Sequence, residues 1–294
     1  MEKSVVYFCR DVDSEKIINL LNMVDFDLRG NVAVKVHSGE EGNQNYIKPD
    51  FWKPIIDYVG GNVVECNTAY AGERNTTSKH MKTLDNHGWT KYFNVDLLDA
   101  VSPDFEIAIP NGKVLKKNYL GRNIVNYDSM LVLSHFKGHP MGGYGGALKQ
   151  LSIGCASSSG KAYIHSAGRT LDCNDLWDDL PSQDKFLESM ADAASSVINY
   201  FDRNIIYVNI MANLSVDCDC CSVAEDPCMN DIGILVSLDP VAIDKACLDL
   251  VYNSADSGRN HFTKRVESRN GSYILDAASD LGCGSKEYVL VEVD

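Results

Sequence analysis

The chain has 294 residues, 45% hydrophobic and 23% charged, which suits a soluble globular protein with a sizeable core. Its 27 Lys plus Arg against 41 Asp plus Glu give a net charge of −14, so neither nucleic acid nor an anionic membrane is expected as partner. No run approaches the roughly 18 apolar residues of a membrane span, and the start, MEKSVVYFCRDVDSEK, lacks the apolar core and cleavage site of a secretory leader. A cytoplasmic location is therefore expected, where the ten cysteines would serve as thiols or metal ligands rather than in a disulfide framework.

In chain order, Ser4 to Cys9 reads as a strand and Asp13 to Met23 as a helix capped by Asp13 or Ser14. Asn31 to Val36 is a strand ending at Lys35 and His37. Pro49 to Val59 is a helix stopped by Gly60 and Gly61, and Asn62 to Glu65 a strand running into Cys66, Asn67 and Thr68. This alternation predicts an α/β fold with a doubly wound, mostly parallel sheet, whose ligands collect at the carboxyl ends of strands. Lys35, His37, Asn67, Thr68 and Arg74 fall at such ends and are candidates to line a site. A helix from about Ser78 to His87 follows, then a small β-rich excursion over Asn94 to Lys117. Asn123 to Leu133 returns to the core. The chain reads as one domain, 1–294, or as two lobes, 1–165 and 166–294.

The strand ending at Leu133 leads into SHFKGHPMGGYGGALKQLSIGCASSSGKAYIH, Ser134 to His165. This stretch brings together His135, His139, His165, Lys137, Lys149, Lys161 and Cys155, with Gly142, Gly143, Gly145 and Gly146 permitting close backbone approach. It predicts a binding loop for an anion, a metal or both, with histidines to move protons near neutral pH. The glycines suit plain turns equally well. Five residues separate Gly154 from Gly160, and Ala162 stands where a P-loop needs Ser or Thr, so this is not a Walker motif. Cys155, between Lys149 and Lys161 in sequence, is the candidate for a thiol of depressed pKa.

Ser166 to Ser182 is irregular and polar, Gln183 to Phe201 is helical by periodicity, and Ile205 to Met211 is a continuous apolar strand. It feeds a loop, Leu214 to Asp244, holding Cys218, Cys220, Cys221 and Cys228 among acids at Asp217, Asp219, Glu225, Asp226 and Asp231. Four cysteines this close can ligate zinc or an iron–sulfur cluster, although C-x-C-C-x6-C matches neither zinc-ribbon nor ferredoxin spacing. Pro240 to Tyr252 is a helix that Asp239 would cap, with Cys247 as a core thiol. Tyr288 to Val293 is a last strand. His80, His87 and His261 are placed on helix or loop surfaces.

The strings LSHFKGHPMGGYGGALKQLSIGCASSSGK, CDC and DIGILVSLDPVAIDKACLDLV, with NTAYAGERNTTSKHMKTLDNH before them, resemble the family called domain of unknown function 362 over most of the chain. The resemblance implies an α/β fold with an iron–sulfur or other metal association, but names no substrate. Many members carry a ferredoxin-like insert after the His-Ser corresponding to His165 and Ser166; here only Cys173 stands in that segment. A weaker likeness is to the nickel-pincer lactate racemase group, with His135 and Lys149 as the matching positions, which would make nickel the cofactor.

Three functions follow. The first is a redox-type metal or iron–sulfur protein with Cys218, Cys220, Cys221 and Cys228 as ligands, an anion pocket over His135 to Lys161, and an electron-transfer partner. The second is an isomerase, racemase or lyase on a hydroxy or sugar acid, and the third a non-enzymatic module that only binds a partner.

Overall fold

The structure is a computed structural model and describes residues 3–293. The first half contributes β1 (Ser4–Cys9), α1 (Ser14–Met23), β2 (Val32–Lys35), α2 (Pro49–Val59), β3 (Asn62–Glu65), α3 (Thr77–Asn86) and β4 (Asp96–Leu97). After these come β5 (Phe105–Ala108), β6 (Lys117–Leu120) and β7 (Ser129–His135). The central stretch forms β8 (Lys137–His139), β9 (Gly143–Gly145), α4 (Ala147–Cys155) and α5 (Ser158–His165). The remainder forms α6 (Gln183–Tyr200), β10 (Ile205–Met211), β11 (Gly233–Ser237), α7 (Pro240–Tyr252), α8 (Arg259–Ser268), α9 (Tyr273–Asp280) and β12 (Tyr288–Glu292).

Eight strands make one sheet in the order β12-β1-β11-β10-β7-β2-β3-β4, and both halves of the chain supply strands to it. β11 runs antiparallel to β1 and to β10, and every other pairing is parallel. The expected doubly wound, mostly parallel α/β sheet is therefore present. Alternation along the strands explains the two core layers. Ala33, Met130, Val132 and Tyr207 face α4, α6, α7 and α9, whereas Val34, Leu131, Leu133 and Val208 face α1 and α2. From β2 the chain winds outward to β3 and β4, then returns to the other side of β2 as β7 and continues outward to β10. Strand order thus reverses between β2 and β7, and a doubly wound sheet opens its crevice at such a point.

Three expectations shift in detail. The excursion is the hairpin β5–β6 from Phe105 to Leu120, because β4 joins the main sheet. The stretch from Ser134 to His165 is not a loop: the hairpin β8–β9 carries its first part and α4 and α5 its second. The apolar run Gly233 to Ser237, taken as part of the cysteine loop, is a buried central strand.

Candidate functional site

The crevice at the β2 and β7 ends holds a cavity of about 70 Å³. Lys35 and His37 follow from β2, Glu65, Cys66 and Thr68 from β3, and Tyr70 and Arg74 from the loop before α3. His139 comes from β8, Lys149, Gln150, Ile153 and Gly154 from α4, Lys161 and His165 from α5, and Cys220 from the cysteine loop. Leu176 and Trp177 close the apolar side.

Carboxylates neutralise two of the four cations along this wall. Lys35 Nζ lies 3.3 Å from Glu65 Oε2, and Arg74 bridges Glu65 at 3.5 Å and Glu40 at 3.3 Å. All four side chains are buried, and Ser38 donates its backbone N–H to Glu65 at 2.7 Å. Burial alone would raise the Glu65 pKa; Lys35, His37, His80 and Arg74 outweigh it and hold the carboxyl well below the usual range. Lys149 and Lys161 have no carboxylate partner among the described residues. Lys149 Nζ is 3.2 Å from Cys218 Sγ. Lys161 is 7% exposed, and its ammonium donates to the Ala156 carbonyl at 2.6 Å. An ammonium buried in this way is costly unless something anionic meets it.

Hydrogen bonds fix the histidine tautomers. His139 Nδ1 accepts the backbone N–H of Gly142 at 2.8 Å and of Met141 at 3.2 Å, which places the ring proton on Nε2. His165 is the reverse. Its Nδ1–H donates to the Lys161 carbonyl at 2.7 Å, leaving Nε2 with the lone pair. Burial, opposed by that backbone bond but aided by His139, Lys149 and Lys161, pushes the His165 pKa down to about 4, and the His139 pKa is also lowered, first by burial and then by Lys149. Both rings are neutral at pH 7. One offers an N–H and the other a lone pair. His37 accepts the Gly39 N–H on Nδ1 at 3.1 Å and so resembles His139.

A turn closed by the Cys221 N–H on the Cys218 carbonyl at 2.9 Å brings two cysteines to the same wall. One ligand atom from each of His139, Cys218 and Cys220 lies within 4.8 Å of the others, so a metal-type donor set is present. Burial raises the Cys218 pKa, but the Cys220 thiol, Lys149 and Lys137 outweigh it and bring the group well below an ordinary thiol. Asp219, between them, does not touch the sulfurs. It is buried against His135 Nδ1 at 2.9 Å and Lys137 Nζ at 2.9 Å, and this anchors the loop. In softness the two sulfurs fit a thiophilic ion such as zinc, nickel or iron, although two are fewer than the three or four protein ligands such an ion takes. His139 does not fit as third ligand through Nε2, because ligating histidines donate from the other nitrogen and here that nitrogen accepts two backbone N–H groups.

Of the residues singled out from sequence, Lys35, His37, His139, His165, Lys149, Lys161, Thr68, Arg74 and Cys220 line the cavity, and Cys218 stands directly behind Lys149. The others do different work. His135 spends both nitrogens, on Asp219 and on the Ala212 carbonyl at 2.7 Å, and Lys137 is consumed by Asp219. Asn67 bridges Thr77 and His80. Cys155 departs from the expectation of a reactive thiol: α4 turns it into the core at 0% exposure, and burial pushes it up to about 11. The Cys221 thiol is held by Cys220, while Cys228 donates to the Leu214 carbonyl at 3.3 Å outside the three-residue cluster.

The four glycines are each engaged in close packing or a hydrogen bond. Gly143 (φ +81°) packs against Gly271, Gly145 against Lys149, and Gly146 against Asp244, while the Gly142 N–H fixes His139. His80 is fully buried rather than on a surface, held by Ser38 and Asn67. Sequence reading missed Glu65, Tyr70, Gln150 and Trp177 as cavity residues; for Glu65, a charged residue ending an apolar strand was the available signal.

The family described as Domain of unknown function (DUF362) matches residues 32–249. No curated protein matches the chain. Among solved structures, the lactate racemase apoprotein from Thermoanaerobacterium thermosaccharolyticum is similar over 69% of this chain and 50% of that one, at 12% identity and a TM-score of 0.44. The chain thus spans about half the length of that protein.

Proposed function

This chain belongs to the DUF362 family, and from that premise we propose that its cavity transfers protons to and from a small carboxylate-bearing substrate, as an isomerase, racemase or lyase does. The observation that carries this reading is the pair of opposite tautomers among the residues lining the cavity: a lone pair at His165 Nε2 and an N–H at His139 Nε2. A base and an acid of this kind, held neutral, can take a proton from one position of a substrate and give one at another.

Lys161 and Lys149 supply the binding charge. The substrate anion would sit on the Lys161 ammonium, and Trp177, Leu176 and Ile153 would cover its apolar part. Binding an anion also changes the chemistry. His139, Lys149 and Lys161 help to depress the His165 pKa, so an added negative charge raises it and makes His165 a better base when substrate is present. The test is loss of the Cα proton from small 2-hydroxy acids in deuterium oxide, followed by proton NMR. Exchange should fall at least about 100-fold in His165→Gln and in His139→Gln. Exchange unchanged in His165→Gln overturns the assignment.

The sulfurs favour a second reading, a redox-type site holding a thiophilic metal or an iron–sulfur cluster on Cys218 and Cys220. Such a group would supply Lewis-acid or electron-transfer chemistry at the cavity wall. Metal and acid-labile sulfide analysis of protein purified without oxygen, compared with Cys218→Ala/Cys220→Ala, tests it. Metal lost in the variant supports the reading, and metal-free wild type abandons it.

A further inference from the structure

Ten cysteines are present, and most are placed to be inert. Cys9, Cys66, Cys155, Cys247 and Cys283 are buried, and burial raises the thiol pKa of four of these, Cys66, Cys155, Cys247 and Cys283. Cys173 and Cys228 are half-buried, each donating to a backbone carbonyl, of Ser158 and Leu214. Cys218 and Cys220 are different. Their sulfurs lie within 4.8 Å of each other, and the Cys220 N–H points at Cys218 Sγ at 3.4 Å. Cys220 lines the cavity, whereas Cys218 lies behind it at 0% exposure, in contact with the Lys149 ammonium. The turn over Cys218–Cys221, anchored on Asp219, fixes this arrangement before any oxidant arrives.

We infer that Cys218 and Cys220 form a peroxide-reactive dithiol, in which Cys220 is oxidised first from the cavity and Cys218 resolves it to a disulfide. Hydrogen peroxide is little larger than water, whose share of liquid volume is about 30 Å³, so the cavity of about 70 Å³ admits it beside Cys220. The Cys218 and Cys221 sulfurs, with burial, push the Cys220 thiol up, so it meets the peroxide protonated; its sulfur attacks one peroxide oxygen as that proton leaves, and the O–O bond breaks. The other oxygen leaves as hydroxide and takes up the proton lost from Cys220, giving one molecule of water and a sulfenic acid. His139 Nε2, 3.9 Å from Cys220 Sγ, is placed to hydrogen-bond the departing oxygen. The Cys218 thiolate then attacks Cys220 Sγ, the S–O bond breaks, and the hydroxide that leaves takes up one proton, the equivalent of the one Cys218 released on ionising, as a second water. Two thiols have lost one electron each, and the peroxide has gained two.

Cys221 is a poor alternative partner. It is adjacent to Cys220 in sequence, where a disulfide needs a distorted peptide, and its own N–H is committed to the turn. The Lys149 ammonium beside Cys218 prepares the second attack, since it holds that sulfur as the thiolate that attacks.

The experiment is peroxide treatment of the reduced full chain, followed by intact mass and peptide mapping, with dimedone as the sulfenic-acid trap. Wild type should lose two hydrogens and two titratable thiols, with Cys218 and Cys220 in one linked peptide. Cys218→Ser should carry dimedone on Cys220, and Cys220→Ser should carry none at Cys218. A disulfide elsewhere, dimedone on Cys218 in Cys220→Ser, or no mass change in wild type each overturns the assignment. Circular dichroism of both variants checks that they fold, and the mass readout stands apart from any test of proton transfer.

Discussion

Replacing Lys161 by Met separates a ligand-binding role from a structural one, because the two predict opposite signs for stability. The ammonium is buried at 7% exposure with one internal partner, the Ala156 carbonyl. Losing that hydrogen bond costs about 1 kcal/mol. Removing a buried charge that no carboxylate neutralises recovers more, since desolvation of an ion leaves a penalty of several kcal/mol that a single carbonyl does not offset. Lys161→Met should therefore stabilise the ligand-free protein by roughly 1–2 kcal/mol, which at this chain length raises Tm by about 2–4 °C. Affinity for small carboxylates should fall about 30- to 1000-fold, the consequence of deleting one partner of a buried charge-assisted pair worth roughly 2–4 kcal/mol. Differential scanning calorimetry gives the first quantity and isothermal titration with short-chain carboxylates the second. A lower Tm with unchanged affinity would refute the reasoning and make Lys161 a brace for the α4–α5 junction.

Other substitutions probe the frame around the cavity. Burial pushes the fully buried His80 from 6.5 down to about 3. A depressed folded pKa means stability that is whole above 6.5 and lost as pH falls toward 3, so this group alone should remove about 4–5 kcal/mol across that window; chemical denaturation at several pH values should show a shallower acid loss in His80→Gln. Glu65→Gln leaves Lys35 and Arg74 without their shared carboxylate, and urea unfolding should report a loss of about 3–5 kcal/mol. In Gly146→Ala the new Cβ would stand 2.3 Å from Asp244 Oδ1, the acceptor that caps α4 through the Ala147 N–H. A loss of about 3 kcal/mol is expected, with weaker anion binding because α4 carries Lys149.

The sequence made the frame legible through local rules. The βαβ rhythm placed Lys35, His37, Thr68 and Arg74 at strand ends, and these ends do converge on the cavity. Proximity in sequence was a poor guide at Cys155. Lys149 and Lys161 flank it along the chain, yet α4 carries Lys149 toward the cavity and Cys155 into the core. The acids around Cys218 are as poorly judged by their place in the chain. Asp219 would raise a thiol pKa if it faced the sulfurs, but it is spent on His135 and Lys137, two residues with no sequence signature tying them to it. The run Gly233–Ser237 was too short to separate from its loop by periodicity, and only pairing with β1 and β10 makes it a strand.

Residue type alone also left the three central histidines equivalent, and the backbone makes them different. His135 has both nitrogens engaged and acts as a strut for the cysteine loop. His139 receives N–H groups because the turn after β8 folds Met141 and Gly142 back over its ring. His165 ends α5, where the carbonyl one turn earlier, that of Lys161, is within reach of Nδ1. The turn thus sets an acid and the helix end a base, so the chemistry open to each imidazole follows from which backbone group reaches its Nδ1. The same contact decides what His139 can offer the sulfurs: while its Nδ1 stays an acceptor, Nε2 meets Cys220 with a proton, as in thiol chemistry, and the ring could join a metal on these cysteines only by giving up its two backbone donors.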